Sequence, residues 1–281
     1  MNRLNRDKQV QIISLMVEGM GVNAITRVTN VSKNTVLKLL ADLGTACANY
    51  QDAAFRNLTL TRLECDEIWS FCFAKSKNVP EEKRGILGFG DLWTWIAMDS
   101  VTKLVPCFHV GRRDAFAASE FINDLASRLK TRVQLTTDGH RAYLEAVESA
   151  FGSEIDYAQL IKLYGTSQDE VRYSPAPIVS TKKNWVAGRP NPKFISTSLI
   201  ERQNLTVRMS SRRFTRLTNG HSKKLENHIH ALSIHYCHYN FVRIHQTLRY
   251  SPAMAANITS RLWEISDMLD LLDSEYAGKV L

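Results

Sequence analysis

The chain has 281 residues, 44% of them hydrophobic, which suits a soluble globular protein with a sizeable core and argues against a disordered or fibrous one. Lys and Arg total 36 against 28 Asp and Glu, a formal charge of +8, so the expected partner is a polyanion, nucleic acid first. Five scattered cysteines form no Cys-x-x-Cys pair, which excludes a zinc ribbon or dithiol redox motif; with no membrane-length apolar stretch and no secretory leader legible, the expected location is the cytoplasm.

The first fifty residues read as helices. Val10, Ile13, Met16 and Val17 keep a helical period until Gly19 and Gly21 break it. A short segment from Val22 to Thr29 follows, then Asn30, a residue type that tolerates the left-handed conformation of a tight turn. Ser32 is a good N-cap for a helix whose apolar face is Val36, Leu39 and Leu40. Two helices across a tight turn make a helix-turn-helix, expected over residues 1–46. Lys33, Asn34 and Thr35 occupy the exposed start of its second helix, where base edges are read. A plain helical bundle would share the apolar period, but the polar helix start favours DNA. Residues 47–60 read as a linker, either a helix or an arm.

From 61 to 250 the pattern turns α/β. Leu63 to Phe71 is strand-like. Trp93, Trp95 and Ala97 alternate with Thr94 and Ile96 as in a half-buried strand, and Asp99 to Lys103 reads as a turn into a returning strand from Leu104 to Val110. Asp114 can cap a helix to about Leu129, with Phe116, Phe121, Ile122, Leu125 and Leu129 on its apolar side. A strand at Val133–Thr137, a helix near Arg141–Phe151 and a strand from Ile155 to Ile161 complete the series. Three strands, a helix, a strand, a helix and a strand is the order of a ribonuclease H-like core, a mixed five-stranded sheet with helices. Between 165 and 198 regular pattern is lost, and Pro175, Pro177, Pro190 and Pro192 fall there. This insertion reads as a loop, either a mobile surface segment or, through Trp185, Lys182 and Lys183, a DNA contact. Residues 251–281 read as a helical tail.

Three carboxylates sit where chemistry on a phosphodiester needs them. Asp66 lies within a strand, Asp138 at a strand end before Gly139, and Glu201 at the start of a helix. Brought together, they can hold two divalent ions for phosphoryl transfer. Glu67 is expected on the opposite strand face, with a milder role, and Asp99 is accounted for by its turn. Asn204 and Arg208 lie three and seven residues after Glu201, on its helix face. Arg202, Arg208, Arg212, Arg213, Arg216, Lys223 and Lys224 follow with no acid among them, and Arg forks suit phosphate oxygens. His221, His228 and His235 recur by seven, but no Cys or acid completes a zinc set at usual spacing, so packing, hydrogen bonding or phosphate contact is the expected role.

Asp66-Glu67-Ile68-Trp69-Ser70-Phe71, Thr137-Asp138-Gly139-His140 and Glu201-Arg202-Gln203-Asn204-Leu205-Thr206-x-Arg208, followed by Arg212-Arg213, resemble the motifs of DDE transposases of the insertion-sequence-one family. Asn240-x-x-Arg243-x-His245-x-x-Leu248-x-x-x-Pro252-Ala253 is similar to a tail shared by many bacterial DDE transposases and integrases. The resemblance covers roughly residues 60–260. It implies Asp66, Asp138 and Glu201 as metal ligands for two Mg²⁺ ions, with Mn²⁺ able to substitute. It implies binding of terminal inverted repeats and target DNA by Lys33, Asn34, Thr35, Asn204 and the Arg/Lys series, within the bacterial nucleoid. Family members often carry a zinc ribbon ahead of the helix-turn-helix, and this chain lacks one. Two element ends imply a homodimer or higher homo-oligomer. Leu262, Ile265, Leu269 and Leu272 are a candidate interface, or a face that packs back on its own core. A non-catalytic DNA-binding regulator and a structure-selective nuclease are the alternatives.

Overall fold

The computed structural model describes residues 4–165, 178–215 and 218–278. Three helices come first: α1 (Arg6–Val17), α2 (Val22–Thr29) and α3 (Lys33–Ala54). Then follow β1 (Arg62–Cys72), β2 (Gly90–Asp99), β3 (Phe108–Gly111), α4 (Ala115–Arg128), β4 (Val133–Thr137), α5 (Ala142–Phe151), β5 (Ile155–Tyr164) and β6 (Ile178–Ala187). Four helices end the chain: α6 (Ser198–Ser210), α7 (Leu225–Cys237), the short α8 (Pro252–Ala255) and α9 (Ile265–Gly278).

The local chemistry of the first helices is as the sequence predicts. Asn30 closes α2 at φ 54°, and Ser32 Oγ accepts from Thr35 N at 3.2 Å to start α3. However, α3 does not stop near residue 46. It runs 22 residues to Ala54, so the first part of the segment expected to be a linker helix or arm is a continuation of α3. Its second half crosses α7 so closely that a Cβ on Gly44 would lie 2.4 Å from the Cβ of His230. Ile12, Val36 and Leu43 share one buried core with Trp95, Phe121 and Tyr143, so these helices are packed into the molecule and not tethered to it.

The strands form one mixed sheet in the order β3-β2-β1-β4-β5-β6. β1 is antiparallel to β2 and parallel to β4, and β4 is parallel to β5. The first five are the expected set. The sixth is a correction: β6 lies within the segment expected to be a loop, paired antiparallel to β5. None of its residues is buried, so no alternation marks it in the sequence. Phe116 is a second correction, since it stands 73% exposed at the start of α4 and not in the core.

The sheet is covered by α4 and α5 on one face and by α6 and α7 on the other. Ile68, Leu92, Ile96, Ile200, Val207 and Leu232 fill this second interface. The tail folds back on its own chain. Met268, Leu269 and Leu272 of α9 are buried against α1 and α3, and Arg6 pairs with Asp270 at 2.5 Å. Leu269 and Leu272 are therefore spent on the monomer's core, which removes them as an interface between copies. Among the described residues no helix is long and apolar enough to cross a membrane.

Candidate active site

Pairing between β1 and β4 stops at Cys65 and Thr137. One residue further, Asp66 and Asp138 project where the two parallel strands part. Asp138 Oδ1 accepts from His140 N at 2.8 Å, a turn made with Gly139 between them. Asp66 Oδ1 accepts from Glu67 N at 2.8 Å, and its Oδ2 accepts from the Asn204 amide at 2.8 Å. The first two acids of the sequence prediction therefore meet.

Glu67 joins them, against expectation. Oxygens of Asp66, Glu67 and Asp138 all lie within 4.8 Å of one another. Alternation does send Asp66 and Glu67 to opposite faces of β1. Past Cys65, though, that edge of β1 has no neighbouring strand, and a glutamate is long enough to curl round it. Its side chain is 1% exposed, and Oε1 is buried without a hydrogen-bond partner.

Glu201 stands beside this cluster and outside it. It sits in the first turn of α6, where its Oε1 accepts from Thr197 Oγ1 at 2.6 Å and pairs with Lys162 of β5. Its helix is fixed by Glu64, two residues before Asp66 on the same face of β1. The buried Glu64 carboxylate accepts from Leu199 N at 2.9 Å and Ile200 N at 3.1 Å, satisfying two of the unpaired amides of the helix start. Asn204, read from sequence as a DNA contact, is buried and holds Asp66 instead.

Sequence reasoning missed Arg113. Its guanidinium lies 3.6 Å from Glu67 Oε2 and 3.7 Å from Asp138 Oδ2, and 4.8 Å above the Trp93 ring. Nothing in Arg112-Arg113 distinguishes it from a solvated basic pair, so no sequence signal marked it. One cation does not balance the acids. Burial pushes Asp66 up to about 7, with Asp138 and Glu201 adding to the effect and the Glu67 amide opposing it. Burial pushes Glu67 up to about 8, with Asp138 and Asp66 adding and Arg113 opposing. Clustered carboxylates with one unpartnered buried oxygen are hard ligands short of positive charge, and they fit a hard divalent cation.

The remaining candidates divide. Lys33 and Asn34 are exposed at the start of α3, with Thr35 half-buried behind them. Arg202, Arg212, Lys223 and Lys224 are exposed, and Arg208 is half-buried. Arg213 turns inward: its Nε donates to Ser222 Oγ at 2.9 Å, and burial pushes its guanidinium down to about 10. Arg216 lies outside the described residues. His228 and His235 are buried, and among the described residues they gather no metal-ligand set.

No family model matches the chain, and no curated protein matches it. Solved structures do align with it. The piggyBac transposase in a synaptic complex with hairpin DNA aligns over 97% of this chain and 71% of its own, at 10% identity and a TM-score of 0.41. The Mos1 mariner paired-end complex with Mn aligns over 84% and 77%, at 10% identity and a TM-score of 0.26. Endonuclease V from Bacillus subtilis aligns over 73% and 91%, at 14% identity and a TM-score of 0.23. At these scores the likenesses decide nothing, and a functional reading has to rest on the acids themselves.

Proposed function

We propose that the chain is a DDE-type DNA transposase of the insertion-sequence-one kind, which binds the ends of its element and catalyses metal-dependent strand cleavage and strand transfer. The observation that carries this is the meeting of Asp66, Glu67 and Asp138 where β1 and β4 part, beside the helix that bears Glu201. The motifs around these residues give the reaction its direction.

Asp66 and Asp138 would hold a divalent cation, and Glu67 would lend its unpartnered oxygen. Glu201 completes the set once Lys162 is drawn away by a DNA phosphate. A pair of Mg²⁺ ions held there, or Mn²⁺ in their place, would supply Lewis-acid activation of a water or DNA 3′-hydroxyl and charge stabilisation for the leaving oxygen. Asn204 fixes the rotamer of Asp66, and Glu64 fixes the helix that carries both Asn204 and Glu201. Arg113 balances charge in the absence of metal. Lys33, Asn34 and Thr35 read bases, while Arg202, Arg208, Arg212, Lys223 and Lys224 hold phosphates. Two copies act on paired ends.

Purified protein incubated with its element's terminal repeats and Mg²⁺ tests the reading. Ends that are cut and joined to target DNA support it. Cutting without joining makes the protein a nuclease on the same fold, and binding without cutting makes it a helix-turn-helix regulator.

A further inference from the structure

Beyond the acids, β1 continues on the Glu67 face as Trp69 and Phe71, and Trp69 pairs laterally with Trp93 of β2. The opposite face of this stretch is sealed: Ile68, Cys72 and Leu92 are fully buried there. On the Glu67 side no helix buries the rings, and Trp69, Phe71 and Trp93 all remain half exposed. Ring centroids are 5.8 Å apart from Trp69 to Phe71 and 4.6 Å from Phe71 to His221. An aromatic row thus leads away from the acids. Phe71 is four residues past Glu67, about 13 Å along the strand.

The row ends in a cavity of about 520 Å³ lined by Phe71, Phe73, Lys75, Lys77, His221 and Lys223. Among the described residues no acid lines it. Lys75, Lys77 and Lys223 are exposed, and Lys83 lies 4.7 Å above the Phe73 ring. Ring faces in series with ammonium groups are what a single nucleic-acid strand requires. Every base offers a π-face to stack, and each phosphate offers a charge. A duplex keeps its base faces stacked inside, so it cannot use the rings. An apolar protein partner would leave the three lysines unmatched.

We propose that this row and cavity bind unpaired nucleotides of a DNA strand, a few nucleotides from the phosphate held at the acids. The inference rests on the transposase reading only for which strand is bound, namely the one being cut. Opened or frayed nucleotides next to the cut would be held there while the acids act.

The test uses the full-length protein in EDTA, so that binding is read without chemistry. Fluorescence anisotropy compares end duplexes that are blunt with ones carrying a short single-stranded overhang, and 2-aminopurine in the overhang reports stacking. Phe71→Ala is expected to weaken overhang binding about tenfold and blunt-duplex binding less than about twofold. It should also release the 2-aminopurine quench, with Phe71→Trp restoring it. The exposed pair Lys75→Ala/Lys77→Ala, which carries no folding risk from the core, should lower the salt slope on overhang DNA by about two phosphates. Equal losses on blunt and overhang DNA, or an unchanged quench, would overturn the proposal. So would a change in the sedimentation of the DNA-free protein with overhang affinity intact, which would make the row a protein interface. The two readings fail separately. Phe71-dependent overhang binding by a protein that neither cuts nor joins leaves this site standing without the transposase. Cutting and joining with overhang affinity untouched by Phe71→Ala does the reverse.

Discussion

At the scale of single residues, Asp66, Glu67 and Asp138 crowd their oxygens within 4.8 Å of one another with Arg113 beside them, so replacing any one of the three acids should impair metal-dependent cleavage. Asp66 and Asp138 were legible because one lies within a strand-like run, the other ends one, and the motifs around them resemble known ones. Glu67 was misread. Alternation along a strand fixes where a Cβ points, not how far a glutamate reaches once the neighbouring strand has ended. Glu67→Gln is therefore expected to impair cleavage as Asp66→Asn does, and not mildly. Each loses a carboxylate from the cluster, worth at least about a hundredfold in rate. DNA binding measured in EDTA should be unchanged for both. Near wild-type cleavage by Glu67→Gln would remove it from the site. Arg113 escaped because its two partners come from β1 and from the end of β4, remote in sequence. Asn204 was placed on the right helix face but given the wrong neighbour, since a buried amide and an exposed one look alike in sequence.

At the scale of elements, period and capping served well wherever a face is covered. The α4 helix begins at the Asp114 cap and ends within a residue of its expected end, and β4 is matched residue for residue. Both bury one side, which writes a period into the sequence. β6 buries nothing, so nothing was written. The length of α3 was hidden for a different reason. Its second half packs through small residues, with Gly44 at a close crossing against His230, so no long apolar stripe marks it. Gly44→Ala should destabilise the protein by about 1–3 kcal/mol, because the added methyl meets the Cα and Cβ of His230 at 2.6 and 2.4 Å. Chemical denaturation would read this, and an unchanged or raised midpoint would refute the crossing. At the other end of α3, Asn34→Ala should relax sequence preference at one base position by about 1–3 kcal/mol. Arg212→Ala should weaken binding to every sequence and flatten the salt dependence. Equal losses on specific and random DNA for Asn34→Ala would count against a recognition helix.

At the scale of the whole molecule, buried titratable groups set how stability changes with pH. His228 and His235 are pushed by burial down to about 3, and His238 down to about 4, from an ordinary 6.5. As pH falls below about 6.5 the unfolded chain takes protons there that the fold refuses, so stability is lost toward acid. Asp66 and Glu67 act the other way. Their raised values, about 7 and about 8, mean that the fold holds protons which the unfolded chain has already released above its ordinary 3.8 and 4.5. Their penalty grows as pH rises through 4 to 8. Between about pH 4.5 and 6.5 the three histidines outweigh the two acids, and above it the acids act alone. The metal-free protein should therefore melt highest near pH 6.5 and lose stability toward pH 8. Mg²⁺ should raise the melting temperature much more at pH 8 than at pH 5, and Asp66→Asn should flatten the alkaline fall. A melting temperature that rises steadily from pH 6.5 to 8 in EDTA would contradict this balance. Assembly was the least legible property. The apolar stripe of α9 reads equally well as an interface or as core, and here α1 and α3 cover it.

The most direct test of the central claim is the rate of metal-dependent cleavage of element-end DNA by Asp138→Asn beside wild type, at matched DNA occupancy. Asp138 directly follows β4, with its oxygens within 4.8 Å of those of Asp66 and Glu67 on β1, and it is exposed enough that Asn should not disturb the fold. Cleavage by wild type in Mg²⁺ or Mn²⁺, with loss of at least about a hundredfold in Asp138→Asn and unchanged binding in EDTA, is the predicted result. Cleavage by Asp138→Asn at near the wild-type rate would contradict the account.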